Sequence, residues 1–324
     1  MRALERRTFV AGAFALPVAA SIYGRALAQT APVRIGTAGQ DGNASEYYAA
    51  DLGLFKKYGL DNVDIQTIRR GSGAAIVAAI AGGALDIGEA DLMAIAAAKE
   101  HGINLTILWP SAISVSDHPT NALLVAVNSP LRSAKDLIGK TVAVPSLEGP
   151  NAMAMRTWLD QNGVARTSVK FTEIPMVEMA VALERGTVDA AYPTEPSVTA
   201  AVNTGKVRVL AHPWDAIGKR WVITAYVASE DWVKKNPVAA ASFAKAIRDA
   251  QVWANRNHDK SAVIFQKWSQ MSMDTIQSMT RSTYTEKLDV ALIQPILDVG
   301  FKEKILPQPI AAKDLVSSVA TTIH

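Results

Sequence analysis

No cysteine occurs among the 324 residues. Thiol nucleophiles, thiolate metal ligands and disulfides are excluded together, so a buried core must supply the stability. Histidine is scarce, with His101, His118, His212, His258 and His324 scattered along the chain. None pairs with another at the i, i+3 or i, i+4 spacing that sets two imidazoles on one helix face for a metal. Neither H-E-x-x-H nor G-x-S-x-G occurs, and Arg70-Gly71-Ser72-Gly73 lacks the Gly-Lys-Ser/Thr that completes a phosphate loop. No catalytic residue, metal or cofactor is expected. Aromatics make up only 6% of the chain, and no basic cluster is interleaved with them. A nucleic-acid surface is therefore not expected.

The positive charge is also thinner than it first looks. Lys and Arg number 33 against 30 Asp and Glu, but residues 1–28 hold four arginines and one glutamate. That leaves 29 of each sign, so the basic balance is no argument for a polyanionic partner.

Those first 28 residues read as a secretory signal peptide. Arg2, Arg6 and Arg7 make a positive start, Val10 to Ile22 is apolar, and Ala26-Leu27-Ala28 is a small-residue cleavage site. Arg6-Arg7-Thr8-Phe9-Val10 is twin-arginine-like. The apolar part falls well short of the roughly 20 residues that span a bilayer, and no later run is a candidate. Cleavage after Ala28 and a periplasmic location follow as expectations. With 49% apolar and 19% charged residues, the remainder is long enough for two packed units.

What the chain does contain is a repeat. Ala79-Ile80-Ala81-Gly82-Gly83-Ala84-Leu85-Asp86-Ile87-Gly88 and Ala182-Leu183-Glu184-Arg185-Gly186-Thr187-Val188-Asp189-Ala190-Ala191 keep Gly83/Gly186, Leu85/Val188 and Asp86/Asp189 at one offset. Each reads as an apolar helix stopped by a left-handed Gly, then a short strand. The strands are expected to end in the polar groups Glu89-Ala90-Asp91 and Thr194-Glu195-Pro196.

The surroundings repeat too. Val33–Gly36 is a first strand, a helix runs from about Ala44 to Tyr58 with Gly59 behind it, and Val63–Ile68 is a second strand. Their counterparts are Thr141–Val144, Ala152–Gln161 with Gly163, and Val169–Ile174. Leu105–Trp109 and Val207–Leu210 are the fourth strands. Aligning Ile35 with Val142 brings Gly42 onto Gly149. Ala122–Val127 and Val222–Ala228 are further strands. After Asn236, read as the cap of a helix with Pro237 at its first position, the chain is helical.

A duplicated strand–helix–strand order implies two parallel sheets, and open α/β sheets bind ligands beyond the carboxyl ends of their strands. The residues there are Gln40, Asp41, Asn43, Arg70, Ser72, Glu89, Asp91 and Trp109 in one unit. In the other they are Ser146, Glu148, Asn151, Tyr192, Thr194 and Glu195. All are candidate ligand contacts. Arg70 and Glu195 are expected to face each other, the guanidinium gripping an anionic group and the carboxylate a ligand N–H.

The same residues carry a resemblance. Ala50-Asp51-Leu52-Gly53-Leu54-Phe55-Lys56-Lys57-Tyr58-Gly59-Leu60, Gly71-Ser72-Gly73-Ala74, Asp136-Leu137-Ile138-Gly139-Lys140-Thr141-Val142-Ala143-Val144 and both repeat stretches resemble the nitrate/sulfonate/taurine branch of periplasmic substrate-binding proteins. The resemblance implies an α/β, type II-like two-lobe fold, each lobe a mostly parallel sheet flanked by helices. Residues 29–119 and 223–324 would form one lobe and 120–222 the other, with a hinge near 118–120 and 219–222 and a ligand cleft between. It implies a monomeric, non-enzymatic solute receptor that serves the membrane permease of an ABC importer, with ligand contacts on the loops 39–43, 70–72, 89–91, 146–151 and 192–195, which adds Gly39 and Gly71 to the candidates. One feature departs from an anion receptor. Glu89, Asp91, Glu148 and Glu195 crowd the rims, and unpaired carboxylates oppose an anion. Ligands with an amine or ring N–H, pyrimidine-like ones included, or an aromatic carboxylate, are the alternatives. A pyrimidine-precursor synthase-like enzyme is the remaining one.

Overall fold

The computed structural model describes residues 31–68 and 73–323. The expected signal peptide and Arg70, Gly71 and Ser72 lie outside the described residues.

Strand β1 is Val33–Thr37. A 3-10 turn, Asp41–Asn43, leads into helix α1, Ser45–Asp51, and then α2, Leu54–Lys57. The single helix expected over 44–58 is split because Gly53 adopts φ 68°, a left-handed value that an α-helix does not allow. Strand β2 (Val63–Thr67), helix α3 (Gly73–Ala81), strand β3 (Ile87–Asp91), helix α4 (Leu92–Glu100) and strand β4 (Leu105–Pro110) complete the first run. Strand β5 is Ala112–Val115.

The second run begins with β6, Leu123–Ala126, and β7, Thr141–Val144. Helix α5 (Pro150–Gln161), strand β8 (Lys170–Glu173), helix α6 (Met176–Glu184), strand β9 (Ala190–Ala191), helix α7 (Ser197–Val202) and strand β10 (Val207–Ala211) follow. The strand expected over 222–228 is two strands in different sheets, β11 (Arg220–Val222) and β12 (Thr224–Ser229). The break at Ile223 is the point where the chain changes partners. Helices α8 (Glu230–Lys235), α9 (Pro237–Arg256), α10 (His258–Ser269), α11 (Met273–Ser278) and α12 (Gln294–Lys302) and the short strand β13 (Thr283–Tyr284) finish the chain. Asn236 stands at the start of α9 as expected but does not cap it, because its Nδ2 donates back to the Trp232 carbonyl at 2.9 Å.

Among the described residues the strands form three sheets. The first has the order β2-β1-β3-β12-β4 and the second β8-β7-β9-β6-β10. In each, the second strand in that order runs parallel to its neighbours on both sides, and the fourth is antiparallel to both of its own. Ile35 pairs with Ile87 and Val142 with Ala190, so the strands keep the alignment read from the repeat. The third sheet, β11-β5-β13, gathers both segments that connect the first two sheets.

The duplicated aspartates are structural. Asp86 accepts the Arg34 backbone N–H at 2.9 Å and Asp189 accepts the Thr141 N–H at 2.9 Å, at equivalent places on β1 and β7. Gly83 and Gly186, at φ 72° and 67°, turn the chain so that each Asp can reach back. Asp86 also grips the Arg34 guanidinium through Nε at 3.0 Å and Nη2 at 2.8 Å.

Each large sheet is buried on both faces. In the first, Ile35 and Ile87 pack against Tyr47, Tyr48 and the α9 residues Phe243 and Ile247, while α3 and α4 cover the other side. In the second, Val142, Ala190 and Tyr192 share a cluster with Met153 of α5, and α6 and α7 cover the reverse with Met179, Leu183 and Val198.

Candidate ligand-binding site

A cavity of about 570 Å³ opens at the carboxyl ends of the strands, with walls from both large sheets. The first unit contributes the loop after β1 (Gln40, Asn43), the end of β3 (Glu89, Asp91) and the facing sides of α3 and α4. The second contributes the loop after β7 (Ser146, Glu148), the start of α5 (Asn151) and the segment after β9 (Thr194, Glu195).

Nine of the sequence-derived candidates therefore line it, and each is held differently. Asp91 caps α4, with Oδ1 accepting the N–H groups of Met93 at 3.1 Å and Ala94 at 3.0 Å. Asn151 is buried and donates from Nδ2 to the Tyr192 carbonyl at 2.8 Å. Glu195 accepts the Thr199 N–H at 3.0 Å and hydroxyl at 2.7 Å, tying it to α7, and takes the Thr280 N–H at 3.3 Å from the C-terminal region. Burial pushes its carboxyl upward. Thr194 leans on the Met176 sulfur, with its hydroxyl at 3.2 Å. Glu148 is exposed, while Gln40 and Ser146 are half-buried.

Four candidates do not line the cavity. Asp41 is 1% exposed and turned inward, accepting from Arg281 Nε at 2.7 Å and the Ser282 N–H at 2.6 Å. Gly39 packs against Thr67 beside the cavity. Trp109 lies in the core with its indole N–H on Gln251 Oε1 at 2.9 Å, because β4 is buried along its whole length. Tyr192 is fully buried, donating to Asn121 Oδ1 at 2.6 Å and accepting the Trp214 N–H at 2.8 Å. Arg70, Gly71 and Ser72 lie outside the described residues, so the opposition of Arg70 to Glu195 stays a proposal.

Two features of the site escaped the sequence reading. The first is its apolar wall. Ala74, Ile76, Val77, Met93, Ala94 and Ala97 face the cavity from α3 and α4. Small side chains on those helices leave room where larger ones would have filled the space; on sequence they looked like ordinary core stripes.

The second is Glu46. It sits in the first turn of α1 with no exposed surface, across from Glu89 at 1% exposure. Tyr226 donates its hydroxyl to Glu46 Oε2, and the Thr224 hydroxyl donates to Glu89 Oε1 at 2.6 Å. Glu46 Oε1 and Glu89 Oε2 are buried without a hydrogen-bond partner. Burial, with the Glu89 charge behind it, pushes Glu46 up to about 8. Burial pushes Glu89 up to about 7, against the pull of hydrogen bonds led by Thr224. The two acids titrate as a coupled pair, and both hold their protons well above the ordinary carboxylate range.

Residues 42–262 match the NMT1/THI5-like family model. The chain belongs to the NMT1/THI5-like family. The taurine-binding periplasmic protein of Escherichia coli K12 is 28% identical over 185 residues, 56% of this chain. That match spans about half of the relative's own length, 54%. A Brucella abortus (strain 2308) protein, described as a binding protein with no ligand in its name, is 28% identical over 296 residues, 88% of this chain and 86% of its own. Among solved structures, the periplasmic aliphatic sulphonate binding protein SsuA of Escherichia coli superposes with a TM-score of 0.72 at 20% identity, over 90% of this chain and 99% of that one. This NMT1/THI5-like chain thus has the two-lobe fold of periplasmic binding proteins, as its resemblance implied.

Proposed function

We propose that the protein is the solute-binding component of an ABC import system, working in the periplasm after removal of residues 1–28. It captures one small organic molecule between its lobes and hands it to a membrane permease, without chemistry. The observation that carries this reading is the cavity itself. It lies where the strand ends of two equivalent sheets converge, and only β5 and β11 link those sheets along the chain. Its volume falls inside the roughly 300–1,000 Å³ of small-molecule sites. The lobes would be 29–119 with 223–324, and 120–222, flexing near 118–120 and 219–222. Closure is then favoured by contacts that exist only when ligand bridges the two rims.

The test combines two measurements on purified mature protein. Calorimetric titration of small sulfonates, amines, aromatic acids and pyrimidines should find a ligand with one site per chain. Small-angle scattering at saturation should show a smaller radius of gyration and a monomer. Ligand recovered chemically changed would replace the receptor reading with an enzymatic one, and an unchanged radius would remove the hinge. Arg70→Ala tests the anion grip, since equal affinity in that variant would end Arg70's role.

A further inference from the structure

We propose that the Glu46–Glu89 pair is the receptor for a cationic or N–H-donating group of the ligand, an ammonium, an amidinium or a protonated ring nitrogen. This group would be carried on an apolar body that fills the alanine-lined space. The proposal deepens the solute-binding reading and rests on it.

Three observations converge. Glu89 lines the cavity, is 1% exposed, and has a carboxylate oxygen with no partner in the protein. A buried acceptor left without a donor is costly, and a ligand N–H would satisfy it. Next, the wall around it is apolar on the α3 and α4 side and acidic on the strand-end side. Among the described lining residues no Lys or Arg occurs, while Glu89, Asp91, Glu148 and Glu195 do. The volume, about 570 Å³, also exceeds by far the few water volumes of about 30 Å³ each that an inorganic oxyanion displaces.

The third observation comes from the duplication. Carrying the Ile35–Val142 alignment forward without a gap places Glu46 on Met153, and carrying Ile87–Ala190 forward places Glu89 on Tyr192. Met153 is fully buried, and the Tyr192 hydroxyl has both its partners. The fold thus fills these two places without acids in one unit, so the acid pair in the other is not demanded by the architecture.

Among the described residues the groups facing the pair are Tyr226 and Thr37 at Glu46, and Thr224, Ser111, Asn43 and Tyr226 at Glu89. No cation faces it among these. A cationic ligand group arriving at Glu89 supplies the missing charge, lowers the proton affinity of the pair, and sends the shared proton to solvent.

The test needs matched probes with the same apolar body: benzamidine against benzoate, and phenethylamine against hydrocinnamate. Calorimetry at pH 7 in buffers of different ionisation enthalpy should show binding of a cationic member with release of up to one proton. Glu89→Gln should weaken that binding by about tenfold or more, the loss of one charge-assisted hydrogen bond. Glu46→Gln should change it far less and leave proton release in place, because a neutral amide replaces an acid that is itself largely uncharged at this pH while Glu89 still has to ionise. A merely structural pair would not separate the two variants in this way. In the ligand-free protein, carbon-13 spectra of the glutamate carboxyls should show two groups titrating well above the ordinary range. Ordinary titration of both, tighter binding of the anionic probes, silence from every cationic probe, or equal affinity in Glu89→Gln would each overturn the proposal. If an anionic probe binds and compacts the protein, the receptor reading stands and only the acid-pair assignment falls. If no solute changes the scattering, the receptor reading falls first.

Discussion

In the second unit, a methionine and a tyrosine stand at matching places on the helix after the first strand and at the end of the third, buried in one apolar cluster. In the first unit the same places hold two carboxylic acids. Met153 and Tyr192 close a packed and hydrogen-bonded core, whereas Glu46 and Glu89 leave two oxygens without donors. The strand order and the aspartate that clamps the first strand are the same in both. A shared scaffold can therefore be separated from what one copy adds to it. Positions that agree across the copies hold the fold, and positions that differ in chemistry while agreeing in place are where a site can be installed.

The largest expected effect comes from forcing the second unit to imitate the first. Met153→Glu buries a lone carboxyl in an apolar cluster where the Tyr192 hydroxyl is already occupied. The cost is about 4 kcal/mol, and the melting temperature should fall by roughly 8 °C at about 2 °C per kcal/mol for a chain of this size. A fall of only a degree or two would mean that the scaffold tolerates acids at this place, and the contrast would lose its force. Next in size is Tyr192→Phe, which strands Asn121 Oδ1 and the Trp214 N–H in the interior. About 2–3 kcal/mol should disappear, with little change between pH 5 and pH 9. Denaturant titrations at both ends of that range would check it.

The smallest effect has the opposite sign. Both carboxyls of the first unit protonate above their ordinary value of 4.5, Glu89 at about 7 and Glu46 at about 8. Folding therefore takes up protons between those limits, and the pair's contribution to stability is lost as pH rises through that window. Glu46→Gln removes the repulsion. Its melting temperature should match wild type at pH 5 and exceed it by roughly 2–4 °C at pH 8.5, the equivalent of about 1–2 kcal/mol. Equal melting at pH 8.5 would mean that the pair is better satisfied than its contacts indicate.

Much of the scaffold was legible because it is written twice. The Gly83/Gly186 and Asp86/Asp189 spacing located two strands and their register, since a helix stop and a backbone clamp need those residue types at that distance. The site was legible only as a place. Asp41, Trp109 and Tyr192 have the polarity of ligand contacts, yet each found a partner within the protein: Arg281, Gln251, and Asn121 with Trp214. Such partners lie far away along the chain, and no local pattern announces them. Glu46 was missed for the converse reason. A glutamate in the first turn of a helix reads as a solvated complement to the helix dipole. Its opposite number, the apolar Met153, was the available clue that this position faces inward. The cavity wall was missed because alanines at 94 and 97 satisfy a core stripe and a cavity wall equally well.

The place of β12 bears on how the chain comes together. This strand lies between β3 and β4, yet the whole second unit separates it from them along the chain. During synthesis the first sheet has no interior strand to join those two neighbours until residue 229 has emerged. The second sheet needs nothing beyond residue 211. The N-terminal half is thus made first and finished last. Between those two moments β3 and β4 expose open edges on strands buried almost throughout in the native state. Such edges invite pairing with other chains. The long-range closure that removes them is also the slow kind. A chain built this way depends on being kept apart from its neighbours for as long as the last central strand is still on its way.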